Sequence, residues 1–90
     1  MATGYALEHE QHHFDITYIN TCLFFKKLKE AKLNRSNYNS LSEKIYNECV
    51  EALHQMQDAY DGETLNGRKK EMQAVWNSKI DRQLEELIIN

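Results

Sequence analysis

Apolar residues recur along this chain at helical rather than strand spacing, in three runs separated by two polar breaks. Leu7, Phe14, Tyr18, Cys22, Phe25 and Leu28 follow one another at three, four or seven positions, which predicts one face of a helix over about 5–33. The polar stretch Asn34-Arg35-Ser36-Asn37 ends that run. Leu41, Ile45, Cys49, Leu53 (or Ala52), Met56 and Tyr60 make a second stripe. Ser40-Leu41-Ser42-Glu43 has the form of a capping box, so the regular part of the second helix is expected to start there. Asp61 to Gly67 holds two of the chain's glycines and reads as a loop. Met72, Trp76, Ile80, Leu84 and Leu87 form the third stripe, with Thr64 or Asn66 as the candidate cap at its start. No proline interrupts any of these runs. The expected fold class is all-α: an antiparallel helical hairpin plus a third helix, a three-helix bundle in one domain spanning 1–90.

Composition narrows the function classes. Ninety residues suffice for one small helical core and not for a doubly wound sheet or a barrel. Acidic residues exceed basic ones, 14 against 11, and the basic ones do not gather into a stripe, so no nucleic-acid surface is expected. No apolar run is long enough to span a membrane. No signal peptide is expected either; Met1-Ala2-Thr3-Gly4 carries no side-chain charge and reads as a remnant of expression.

The candidate chemistry lies in the first helix. His9-Glu10-Gln11-His12-His13 contains His-Glu-x-x-His. Residues four apart share a helix face, so His9 and His13 can bind one Zn²⁺ through ring nitrogens at about 2.0–2.1 Å. Glu10 projects to one side of that pair and suits a general base acting on water rather than a ligand. His12, i+3 from His9, makes His9/His12 a geometrically possible alternative pair but is read as a bystander on the neighbouring face; Asp15 is read as surface charge and Thr17 as a neighbour of the His13 ring. A third ligand must come from elsewhere. In an antiparallel hairpin the acids Asp58, Asp61 and Glu63 lie opposite the histidines; a turn extended to Ser40 sets Asp61 level with His13. A turn centred between Arg35 and Ser36 sets Cys22 level with Cys49. That leaves either two small buried thiols or a disulfide, with Cα atoms up to about 7 Å apart. His54 is expected on the surface of its helix, and Trp76 with Met72, Ile80 and Leu84 in the core.

His9-Glu10-Gln11-x-His13-Phe14-Asp15-Ile16 resembles the signature of a bacterial family of secreted, zincin-like zinc-dependent proteases, catalogued as domain of unknown function nine-twenty-two. A second block supports the likeness: Tyr60-Asp61-x-Glu63-Thr64, then Gly67, Gln73, Trp76 and Ile80. The resemblance covers about 5–90 and corresponds to that family's helical C-terminal part. It implies that Glu10 is the catalytic base, that His9 and His13 are metal ligands, that the cofactor is Zn²⁺, and that the substrate is a peptide or protein. It also implies a secreted or cell-envelope location for the parent protein. Two positions depart from the pattern. The residue after Gln11, usually small, is His12, and a histidine common just before the glycine is Asn66. With Asn66 there, Asp61 is the expected third ligand. The rival reading is a non-catalytic helical binding or structural domain with a degenerate or absent metal site.

Overall fold

The computed structural model describes residues 4–89, and these form helices and connecting turns with no strand. The helices are α1 (Gly4–Glu30), α2 (Tyr38–Thr64) and α3 (Lys70–Ile89). Residues 1–3, read above as part of an expression remnant, lie outside the described residues. Among the described residues no helix is long and apolar enough to cross a membrane. The three-helix bundle is therefore as expected, with α1 and α2 antiparallel: His13 meets Gln57 and Asp61, while Phe24 meets Tyr46 near the turn.

The turns are built from asparagines and from a left-handed helix end. Between α1 and α2, Asn34 Oδ1 accepts from the backbone N–H of Ser36 (2.8 Å) and Asn37 (3.0 Å), while Asn37 Oδ1 accepts from the Asn34 N–H at 2.8 Å. This reciprocal clasp lets α2 begin at Tyr38, so the expected Ser40 capping box does not form. Ser40 Oγ instead donates to the Asn37 carbonyl at 3.3 Å. At its other end α2 runs on through Gly62 to Thr64, so Asp61 belongs to the last helical turn rather than to a loop. Leu65, Asn66 and Gly67 then take positive φ values of 50°, 56° and 91° and reverse the chain. Neither Thr64 nor Asn66 caps α3. Thr64 Oγ1 donates to the Tyr60 carbonyl (2.7 Å) and accepts from the Gly67 N–H (3.2 Å), so it closes α2 instead.

The core consists of Ile16, Ile19, Tyr60, Trp76 and Ile80, with Leu53, Met56, Met72, Leu84 and Leu87 packed around it. The α2 and α3 stripes face inward as expected. The α1 stripe does not. Leu7, Phe14, Tyr18 and Phe25 are exposed, and the buried face is His9, His12, Ile16, Ile19 and Asn20. The physical reason is that α1 buries polar side chains that find partners inside, so hydropathy alone picks the wrong side of the helix. Of the two cysteine outcomes expected, free thiols hold rather than a disulfide, with Cys22 only half-buried. Cys22 and Cys49 are level by register, but both thiols are free. Cys22 lines a hollow with Ile19, Leu23 and Gln83, whereas Cys49 lines another with Asn20, Phe24 and Tyr46.

The bundle is elongated, 52 × 26 × 21 Å, with a radius of gyration of 15.7 Å. A compact domain of this length has about 12 Å. Its accessible surface of 6884 Å² likewise exceeds the roughly 5500 Å² expected for a compact chain of its mass.

Candidate metal centre

α1 contributes His9 and His13 from consecutive turns, and α2 contributes Tyr60 and Asp61 from its final turns. Tyr60 is the platform. It is fully buried, its ring stacks on His9 (centroids 4.6 Å apart, 15° between planes), and it meets His13 edge-on at 4.9 Å. The two imidazoles stand perpendicular to one another, 5.1 Å apart. Gly67 closes the far side of His9: a Cβ there would lie 3.2 Å from His9 Cγ and Nδ1. With φ at +91° as well, glycine is required at this position.

Hydrogen-bond directions fix the Nδ1 proton of each ring. The Tyr60 hydroxyl donates its one proton to the His9 carbonyl at 2.9 Å. Gln73 Nε2 must therefore be the donor in its 2.7 Å contact with that hydroxyl, and it also donates to Asn77 Oδ1 at 2.8 Å. The amide orientation of Gln73 is thereby set, and its Oε1 faces His9 Nδ1 at 2.6 Å as an acceptor. His9 consequently carries its proton on Nδ1. The same logic holds for His13. Gln57 Nε2 donates to the His13 carbonyl (3.0 Å) and to Thr17 Oγ1 (3.1 Å), so Gln57 Oε1 accepts from His13 Nδ1.

Both Nδ1 atoms being committed, both Nε2 atoms turn toward a single atom, Asp61 Oδ1, at 3.1 Å from His9 and 2.6 Å from His13. In neutral imidazoles of this tautomer Nε2 has a lone pair and no proton. Two nitrogen lone pairs and a carboxylate oxygen then face one another, an arrangement that requires a cation between them, either protons or a metal. One ligand atom from each of His9, His13 and Asp61 lies within 4.8 Å of the other two. Tetrahedral zinc with ligands at 2.0–2.2 Å separates neighbouring donors by roughly 3.3 Å, so the His9–Asp61 distance already fits and the His13–Asp61 distance must open slightly. His9 is buried, while His13 and Asp61 are half-buried, leaving one side open to solvent.

The remaining sequence candidates fall elsewhere. Glu10 is exposed and lines a hollow of about 430 Å³ with Ala6, Leu7, His9, Asn66, Gly67 and Arg68. It is not one of the three converging groups, and it makes no hydrogen bond or ion pair among the described residues. Its charge does reach Tyr60: burial pushes the phenol up to about 12, Gln73 opposes this by hydrogen bonding, and the negative charges of Asp61, Glu10 and Glu8 add to the rise. Asp58 is exposed, and Glu63 accepts from Trp76 Nε1 at 3.3 Å, away from the histidines. His54 is exposed. His12 is buried and stays out of the converging group; its Nδ1 pairs with Asp15 Oδ2 at 2.8 Å, and its Nε2 has no hydrogen-bond partner among the described residues, with Glu8 Oε1 3.9 Å away. Thr17 touches the His13 carbonyl rather than its ring.

No protein family, curated protein or solved structure matches the chain.

Sequence reading had no role for Gln57; Tyr60 appeared as a stripe residue and a family-like position, and Gln73 only as a family-like position. A signal was present for Gln73. It lies at i+3, i+4 and i+7 from Trp76, Asn77 and Ile80, so it shares the buried side of α3, where an amide must have a partner.

Proposed function

We propose that the chain binds a single divalent cation of the zinc class through His9 Nε2, His13 Nε2 and Asp61 Oδ1, and that this centre serves hydrolysis of an amide bond in a peptide or protein. The observation that carries the metal reading is the directed pair of outer hydrogen bonds. Gln73 and Gln57 hold both Nδ1–H groups, so both Nε2 atoms turn to one carboxylate oxygen. Outer partners of this kind orient ligating histidines and raise their basicity. Three protein ligands with one open side is also the donor count of a catalytic rather than a structural zinc site. When bound, such a metal acidifies water and polarises a carbonyl oxygen.

The chain's own residues then divide the work. His9 and His13 supply neutral donors and Asp61 supplies one negative charge, so the residues neutralise only half of a divalent ion. Tyr60 fills the space behind the rings and keeps water from that side. Glu10 makes no ion pair among the described residues and lies beside His9 on the open hollow, which Arg68 and Lys70 also line; there it can take a proton from water and return it to the departing amine. The likeness of His9–Ile16 to the zincin-like protease signature supports the hydrolytic part of this reading.

The test is a set of zinc titrations followed by competition with a chromophoric chelator. One equivalent should bind and raise the melting temperature, since a ligand specific to the folded state stabilises it. His13→Ala and Asp61→Ala should weaken binding by orders of magnitude, while Asp58→Ala and Glu63→Ala leave it close to the parent. Glu10→Gln should retain zinc and lose peptide hydrolysis. Parent-like zinc affinity in Asp61→Ala sinks the ligand set, and parent-like hydrolysis in Glu10→Gln sinks the assignment of the base.

A further inference from the structure

The face of α1 turned away from the core carries an apolar stripe of its own. Leu7, Phe14, Tyr18 and Phe25 are 62%, 72%, 58% and 63% exposed. Isolated exposed apolar residues are ordinary, but four large ones on one open helix face mark a binding surface. Their spacing of seven, four and seven is the 3.5-residue repeat of a seam between two helices.

The stripe is also symmetric about the level of Ile16. A second copy of α1 laid antiparallel, with a two-fold axis at that level, sets Leu7 opposite Phe25 and Phe14 opposite Tyr18, each twice. Gln11 then lies opposite Thr21. Such reciprocity is the property an isologous interface requires. Charge selects the same direction. Between Gly4 and Phe25, α1 carries Glu8, Glu10 and Asp15 and no lysine or arginine, whereas Lys26, Lys27 and Lys29 cluster at its C-terminal end. Antiparallel packing lays the acidic half of each helix on the basic end of the other, with Glu8, whose Oε1 accepts from Asn77 Nδ2 of α3 at 3.2 Å and keeps its second oxygen for another partner, about one helical half-turn from Lys26 of the second copy. Parallel packing would stack acid on acid.

We propose that this face of α1 pairs with the same face of a second copy of the chain, antiparallel, to form a symmetric dimer. The metal-ligand histidines face α2 on the other side of the helix, so dimerisation and metal binding are separable.

Sedimentation or light scattering over a concentration series tests the proposal. The expected species has twice the 10.7 kDa chain mass. Phe14→Lys should return the protein to monomer with its helical circular dichroism intact, because Phe14 is exposed in the single chain. Glu8→Lys or Lys26→Glu alone should weaken association several-fold, and the double exchange should recover it. For register, a variant carrying Gln11→Cys and Thr21→Cys, with Cys22→Ser and Cys49→Ser, should oxidise to a dimer linked between positions 11 and 21 of different copies. The two positions are roughly 15 Å apart along one helix, too far for a bridge within a chain. A dimer unaffected by Phe14→Lys, or one linked between two positions 11, overturns the proposal. So does a parent protein that stays monomeric throughout, which would leave the stripe to a partner of another kind.

Discussion

Replacing Gln73 by leucine separates the packing of the centre from its chemistry. The side chain is 1% exposed and makes three hydrogen bonds, to His9, Tyr60 and Asn77. Leucine is close in volume, so no large cavity results. Asn77 is half-buried and can turn to water, but His9 Nδ1–H and the Tyr60 oxygen lose their partners in the interior. Each such orphan costs about 1–3 kcal/mol, and leucine recovers part of that by apolar burial, so a net loss of about 3 kcal/mol is expected. For a domain of this size that lowers the melting temperature by about 12–24 °C. The chemical effect is separate: with no acceptor at Nδ1, the His9 proton is free to move to Nε2, and zinc affinity should fall by about 10–100-fold. Gln73→Glu is the control. It keeps an acceptor for His9 but presents oxygen to Tyr60, so it should lose stability while holding zinc better than the leucine variant. Urea denaturation gives the first quantity and chelator competition the second. Nitrogen chemical shifts of the two imidazoles in metal-free protein report the tautomer directly. A leucine variant that keeps the Nδ1–H tautomer of His9 and binds zinc like the parent would refute the reasoning.

Three further outcomes are expected. The Tyr60 pKa is raised from 10.0 to about 12 by burial, so the folded state holds this proton more tightly than the unfolded one. Its contribution is complete below pH 10 and is lost as pH rises to 12, a fall of order 2 kcal/mol; the difference in urea stability between parent and Tyr60→Phe should change over that window and be flat below it. Gly67→Ala should cost about 1–3 kcal/mol, from its positive φ and the contact with His9, and should weaken zinc binding. Gly62→Ala, with nothing within 4 Å of the added methyl, should gain about 0.5–1 kcal/mol in the α2 helix; chemical denaturation of the pair checks both signs. Thiol titration of unreduced protein should find both cysteines free, with half-exposed Cys22 reacting ahead of buried Cys49, and a titration finding neither would contradict the free thiols.

The hairpin register and the α2 and α3 faces were legible because their stripes are apolar throughout. Only a turn extended to Ser40 set Asp61 level with His13; the turn is shorter, so Gln57 is the residue nearly level with His13, and Asp61, one helical turn further along α2, reaches it too. The α1 face was misread because hydropathy treats His9, His12 and Asn20 as surface residues, while their burial rests on partners 64, 3 and 4 positions distant. The outer partners were the least visible part of the centre. A glutamine that sets a tautomer differs from any other glutamine only by what stands opposite it in space, and Gln57 is 44 positions from His13. Helix ends were displaced for a local reason: asparagine side chains closed one turn and three left-handed residues closed the other, where serine caps and a glycine loop were the simpler expectation.

The cluster at His9 draws on all three helices, whereas the asparagine turn between α1 and α2 is closed by local hydrogen bonds among Lys32, Asn34, Ser36 and Asn37. Amide hydrogen exchange should therefore divide the molecule. Protons near the histidines should escape only when the whole chain opens, because no single helix can leave without breaking that cluster. Those beside the asparagine turn should escape by fraying of the hairpin tip. A metal held at His9, His13 and Asp61 would then slow the first class and leave the second unchanged, so the exchange map would report occupancy from residues that never touch the ion.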